Sequence, residues 1–122
     1  MSSLEDGRCD TVRRLFAAYV AQHPDIADPM LAPDFTFSSP RDDHISRQRY
    51  FEHCWPKQKA FRDIHIEHLI ADGDEVIVSY RAEKMDGNSF RNVELIRFAG
   101  DKIAEVNVYF GRDIQSNSRK SA

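Results

Sequence analysis

Glu94 lies in an alternating stretch, residues 89–98, with Asn92, Ile96 and Phe98 on its own side and Val93 and Leu95 on the other. A carboxyl buried among Ile96, Phe98, Val78 and Phe110 would find its charged form disfavoured and its pKa raised. Such a group can donate a hydrogen bond to a substrate oxygen or act as a general base near neutral pH. The other reading of the same residue is a solvated sheet glutamate, or one paired with Arg91 or Arg81. Asp42 and Asp43 follow Ser39-Pro40-Arg41. In that loop a carboxylate could reach over a pocket mouth, or the pair could serve as turn formers beside a helix start at Ser46. The catalytic expectation falls on Glu94 and Asp43.

The five histidines are His23, His44, His53, His65 and His68. None has the spacing of a metal ligand pair, so no metal and no other cofactor is expected. His68 shares an alternating face with Ile64, Ile66 and Ile70 and could enter a pocket as acid or base, or be a hydrogen-bonded structural residue. His44 neighbours Asp43 at the same loop. Cys54, on an apolar helix face, reads as a small core residue. There is no Gly-rich phosphate loop, no nucleophile elbow and no dinucleotide fingerprint.

These candidates need elements to hold them. The chain of 122 residues, 41% hydrophobic and 30% charged, has the size and balance of one soluble domain. The net charge of −3 argues against nucleic acid as a partner. No apolar run approaches a membrane span, and the polar start MSSLEDGRCD is not a secretory signal. With only two cysteines, Cys9 and Cys54, a cytoplasmic location with reduced thiols is expected. Thirteen aromatics, eight Phe, four Tyr and one Trp, are enough to fill a core or line a cavity.

Residues 4–21 predict an amphipathic helix carrying Val12, Leu15, Phe16, Tyr19 and Val20 on one face. His23-Pro24 ends it. A short helix over 25–31, broken by Pro29, a short strand over 35–38 and a polar turn over 39–43 follow. Ser46 caps a helix over 47–55, closed by Pro56. The period then changes to two. Strands read through 64–70, 75–82, 89–98 and 103–110, with turns at Asp72-Gly73-Asp74, Asp86-Gly87 and Ala99-Gly100-Asp101. Residues 1–111 form one domain and 112–122 a frayed tail. Helices precede strands, which is an α+β layout.

Several segments together resemble the nuclear-transport-factor-2-like superfamily, which includes ketosteroid isomerases and SnoaL-like polyketide cyclases. They are Asp34-Phe35-Thr36-Phe37 with Ser39-Pro40, Asp72-Gly73-Asp74-Glu75-Val76, 92–98, 100–106 and Tyr109-Phe110-Gly111. The resemblance spans about residues 9–111. It implies a cone: a curved antiparallel sheet wrapped around the N-terminal helices, with an internal pocket and commonly a homodimer through the outer sheet face. It places Glu94 inside, where ketosteroid isomerases keep an aspartic acid neutral in an apolar site. Ser39 matches the isomerase's basic aspartate, and a serine cannot abstract a proton unaided at neutral pH. Phe16 stands nearest the isomerase's first-helix tyrosine, with Tyr19 one turn later. The steroid isomerase reaction itself is therefore disfavoured.

The expectation is a SnoaL-like protein that binds an apolar, cyclic small molecule. If it is an enzyme, it is a cofactor-independent isomerase, cyclase or hydrolase using Glu94. Phe16, Tyr19, Ser39, Tyr50, Trp55, Tyr80, Phe98 and Phe110 would contact substrate, with Trp55 as a wall near the open end. The alternative is a noncatalytic ligand-binding or dimeric interaction module. Fold alone does not decide between them.

Overall fold

In the computed structural model, which describes residues 2–114, Ser2 opens helix α1 (Ser3–Ala21) with a reciprocal cap. Its hydroxyl accepts from Glu5 N at 3.1 Å, while its own N–H donates to Glu5 Oε1 at 3.1 Å. Gln22, in the left-handed region at φ 63°, ends the helix, and Pro24 begins the next (α2, Pro24–Ala27). The helix expected over 25–31 is thus a single α-turn followed by a 3-10 turn, Asp28–Met30, because Pro29 cannot continue an α-helix. Helix α3 (Arg47–His53) starts at Ser46, whose hydroxyl accepts from Arg49 N at 3.2 Å.

The sheet has six strands: β1 (Leu31–Ser39), β2 (Asp42–Ser46), β3 (Phe61–Asp72), β4 (Glu75–Lys84), β5 (Ser89–Ala99) and β6 (Lys102–Ile114). Their order is β2-β1-β6-β5-β4-β3. Every neighbour pair is antiparallel except β1 with β6, so the curved, unclosed sheet is mixed at that one join. The polar turn expected over 39–43 shrinks to Pro40-Arg41, and Asp42–Ser46 pairs as a short edge strand. Its charged sequence hides it from a hydrophobic pattern and suits an edge. β6 runs to Ile114, so residues 112–114 of the expected tail are strand; 115–122 lie outside the described residues.

β4 presents Val76, Val78, Tyr80 and Ala82 inward, and β5 presents Asn92, Ile96 and Phe98, all buried. Against them α1 packs Val12, Leu15, Phe16 and Ala18. The period-two reading fails in β6, where a register shift leaves the adjacent Ile103 and Ala104 both buried, and more consequentially in β3. Ile66 pairs with Tyr80 but His68 pairs with Ser79, so Glu67 is an inserted residue, a β-bulge. Beyond it the faces exchange. Leu69 and Ala71 pack on the core, while Ile70, 57% exposed, and His68 point outward. His68 meets Ser79 Oγ at 2.9 Å on the outer face and is not a pocket residue.

At the narrow end Arg8 holds the architecture together. Its guanidinium is buried, donating to Gly73 O at 2.7 Å and, from two nitrogens, to Gly100 O at 2.9 and 3.2 Å. It lies over the Phe98 ring, 5.6 Å from the centroid. One helical side chain thereby grips the β3–β4 and β5–β6 turns, whose glycines take positive φ. No helix among the described residues is long and apolar enough to cross a membrane.

Candidate functional site

At the wide end, the inner face of the sheet and the C-terminal half of α1 leave a cavity of about 370 Å³. That is within the range of small-molecule sites. Phe16, Tyr19, Phe37, Tyr50, Phe61 and Phe90 form much of its apolar wall. The β4–β5 and β5–β6 registers set Glu94 between Val78 and Val108, and Asn92 between Tyr80 and Phe110. Glu94 is half-buried only because the cavity opens onto it; protein surrounds its carboxylate otherwise.

Tyr80 is the polar partner of that carboxylate. Its hydroxyl donates to Glu94 Oε2 at 2.7 Å. Phe16 meets the Tyr80 ring edge to face at 5.0 Å, which fixes the ring. Asn92 Nδ2 donates to Tyr80 Oη at 3.3 Å, and Gly111 N donates to Asn92 Oδ1 at 3.1 Å. Two residues of β6, Gly111 and Arg112, oppose the single Arg91 of β5, and this bulge turns the Gly111 N–H toward Asn92. Burial pushes Glu94 up to about 7, and the bond from Tyr80 pulls only partly the other way. Among the described residues no arginine offsets the burial. Arg91 pairs with Glu67 at 3.0 Å on the outer face, and Arg81 stands opposite Arg91 on the same side. Tyr19, Tyr50 and Tyr80 are raised well above the usual tyrosine range, first by burial; the Glu94 charge comes next at Tyr50 and Tyr80, and the Cys54 thiolate charge next at Tyr19. Burial also pushes the Cys54 thiol up to about 11, which leaves it a poor nucleophile.

Of the residues singled out in the sequence, Glu94, Phe16, Tyr19, Ser39, Tyr50, Tyr80 and Phe110 line this cavity together. Asp43, Trp55 and Phe98 do not. In β2 adjacent residues face opposite ways, so Asp42 reaches the cavity wall while the Asp43 side chain is 95% exposed and bonded to His44 at 2.7 Å. His44 itself spans Asp43 and Glu105 Oε2, the latter at 3.4 Å. Trp55 is buried behind the wall, edge-on to Tyr19 at 5.1 Å and tilted against Phe51 at 5.7 Å. Phe98 belongs to the closed end beneath Arg8.

Most of the remaining lining residues are apolar; two polar ones, Arg41 and Asn92, have no site role assigned from the sequence. Arg41 sits exposed at the mouth over Phe110, 5.5 Å from the ring centroid. Asn92 could have been found, since an asparagine on the core face of a strand needs a buried partner. Ser39 Oγ accepts from Arg41 N at 3.1 Å and donates to Asp42 Oδ2 at 3.3 Å, so it serves the turn as much as the cavity. Among the described residues no cluster of three His, Cys, Asp or Glu could hold a metal ion.

A curved sheet over helices with a carboxyl set deep in a largely apolar cavity defines a small cone-fold protein of the nuclear-transport-factor-2-like kind. The chain belongs to the SnoaL-like domain family, whose model matches residues 12–106. It superposes on a protein from Kribbella flavida provisionally assigned as a ketosteroid isomerase with TM-score 0.76 and 14% identity, covering 91% of this chain and 82% of that one. A provisionally assigned SnoaL-like polyketide cyclase from a Jannaschia species gives TM-score 0.76 and 17% identity, covering 88% of each chain. An LEH-like epoxide hydrolase from M. tuberculosis gives 0.73 and 17%, covering 87% and 84%. At these identities the likeness is one of fold. Among curated proteins none matches the chain significantly.

Proposed function

We propose that this SnoaL-like protein binds an apolar, cyclic small molecule in its cavity and that Glu94 transfers a proton to or from it without a cofactor. Isomerisation, cyclisation and hydrolysis are chemical variants of that step. One observation carries the reading: Glu94 is a carboxyl on the cavity wall, hydrogen-bonded to Tyr80, without an ion-pair partner among the described residues, and pushed up to about 7. A group that titrates near the working pH can both take and give a proton. The solved relatives provisionally assigned as an isomerase and a cyclase, and the LEH-like hydrolase, are compatible with this range of reactions.

The test is a thermal-shift screen of apolar cyclic compounds, followed by NMR of each hit in heavy water. Wild-type protein is expected to speed deuterium entry at an acidic C–H of a bound ligand. Glu94→Gln is expected to bind the same ligand and lose roughly 10²–10⁴-fold of that rate. Binding with no Glu94-dependent exchange would make the protein a noncatalytic ligand-binding module. Absence of any stabilising ligand would overturn the cavity reading.

We also propose a homodimer through the outer sheet face. Four exposed apolar side chains stand there on adjacent strands, Ile70 opposite Ile77 and Val93 opposite Tyr109. Such a set supports a self-complementary two-fold contact. Light scattering at micromolar concentration should give twice the chain mass, and Ile77→Lys should give a monomer. A wild-type monomer would remove the proposal.

A further inference from the structure

The chain of hydrogen bonds behind Glu94 has only one possible sense, because it starts at a group that can only donate. The Gly111 amide is such a group, so the Asn92 atom facing it is the oxygen, at 3.1 Å. The amide nitrogen of Asn92 then faces Tyr80 Oη, at 3.3 Å, and the phenol oxygen must accept. Tyr80 has one proton, and the only other partner of its hydroxyl among the described residues is Glu94 Oε2, at 2.7 Å. Asn92 and Tyr80 are both largely buried, which favours these bonds over bonds to water. Glu94 lines the cavity, and its Oε1 has no hydrogen-bond partner among the described residues and is not sealed from solvent, which leaves that oxygen free to meet a ligand.

We infer that Asn92 is a positioning residue: it fixes the Tyr80 hydroxyl as a donor to Glu94 Oε2, so that Glu94 takes up and releases its proton through Oε1 alone, toward the bound molecule. The inference deepens the proposed acid–base role of Glu94 and rests on that reading only for its use. The orientation itself is a property of the protein without ligand. If the proton sat on Oε2 instead, Tyr80 would donate to a carboxylic O–H oxygen, a poorer acceptor than the carbonyl oxygen that Oε2 becomes when the proton sits on Oε1. The ligand group that Glu94 serves therefore lies on the Oε1 side. It is an oxygen that accepts a proton or a C–H or water that yields one.

The groups that face Glu94 are few. Tyr19 comes from α1, Tyr50 from α3, Cys54 from just beyond it, and Tyr80 from β4. The tyrosines are raised above the usual tyrosine range and Cys54 is pushed up to about 11, so all stay neutral through pH 9. Arg41 and Asp42 are the other charged lining residues, both at the mouth, and no histidine lines the cavity.

The experiment follows the Glu94 carboxyl carbon by ¹³C NMR from pH 4 to 9. Asn92→Asp keeps the shape and one oxygen on the Gly111 N–H, but offers Tyr80 an acceptor in place of a donor. The Tyr80 proton then turns away from Glu94. The Glu94 midpoint is expected to rise by more than one pH unit, over tenfold in proton affinity. The introduced charge alone raises it too, so the same substitution is made in a Tyr80→Phe background, where only the charge can act. A shift clearly smaller there supports the relay; equal shifts in the two backgrounds overturn it. Asn92→Ala, free of added charge, should move the midpoint the same way by about threefold to tenfold, and no movement would also overturn it. These titrations need no ligand, so a failed deuterium-exchange assay would sink the catalytic reading and leave the relay standing.

Discussion

Glu94→Gln is expected to be more stable than wild type at pH 8 by about 2–3 kcal/mol, and no more stable at pH 4. The sign follows from the direction of the shift. The folded carboxyl is raised from 4.5 to about 7, so between those values the native state holds a proton that the unfolded chain has released. Wild-type stability attributable to Glu94 is complete below about 4.5, falls as pH rises, and is fully lost above about 7. Glutamine never carries the charge and can still accept the Tyr80 hydrogen bond. Urea unfolding of both proteins across pH 4–9 measures the difference directly, and subtraction cancels every other titrating group. A gap that does not change with pH would mean that Glu94 is solvated as an ordinary sheet glutamate. A residue that weakens the fold at working pH while facing a cavity fits a functional group better than a structural one.

Gly111→Ala is expected to cost about 3 kcal/mol and lower Tm by about 10 °C. A Cβ at this position would overlap the carbonyl oxygen of Arg91 and lie 2.9 Å from its carbonyl carbon. Both are backbone atoms of the neighbouring strand and have no rotamer by which to retreat. Relief requires β5 and β6 to part at the bulge, and parting them also withdraws the Gly111 N–H from Asn92. The loss should therefore appear twice, as a lower midpoint in thermal unfolding and as a higher Glu94 titration midpoint in the surviving folded protein. A variant as stable as wild type would show that the bulge is pliable.

Much of this architecture was legible in the chain. Val76, Val78, Tyr80 and Ala82 alternate cleanly, and their inward face is the one observed. Ser46 caps α3 as its type and position predict. The errors have separate physical origins, and the first is that periodicity counts residues and cannot see one that is inserted. Glu67 bulges out of β3, and every side chain after it changes face, which moves His68 and Ile70 outside. β2 escaped notice because Asp42-Asp43-His44 has no apolar rhythm. Without that strand, Asp42 and Asp43 could not be told apart by direction. Trp55 and Phe98 are expected as substrate contacts but do not line the cavity, because a face says nothing of depth along the cone; one lies behind the wall and the other at the closed end. Glu94 could be placed inside only with the family pattern. Its tyrosine and asparagine supports needed the strand register to be seen as one chain.

The grip of Arg8 on the two hairpin turns also bears on time. Its bonds join residues 65 and 92 positions apart along the chain. They can close only after both hairpins have formed and α1 has come to rest across them, since distant contacts bear the loop-closure cost before they return anything. Contacts made that late are expected to act little on how fast the chain folds and strongly on how long the folded state survives. The buried guanidinium is thus better understood as a latch on the finished cone than as part of the route to it.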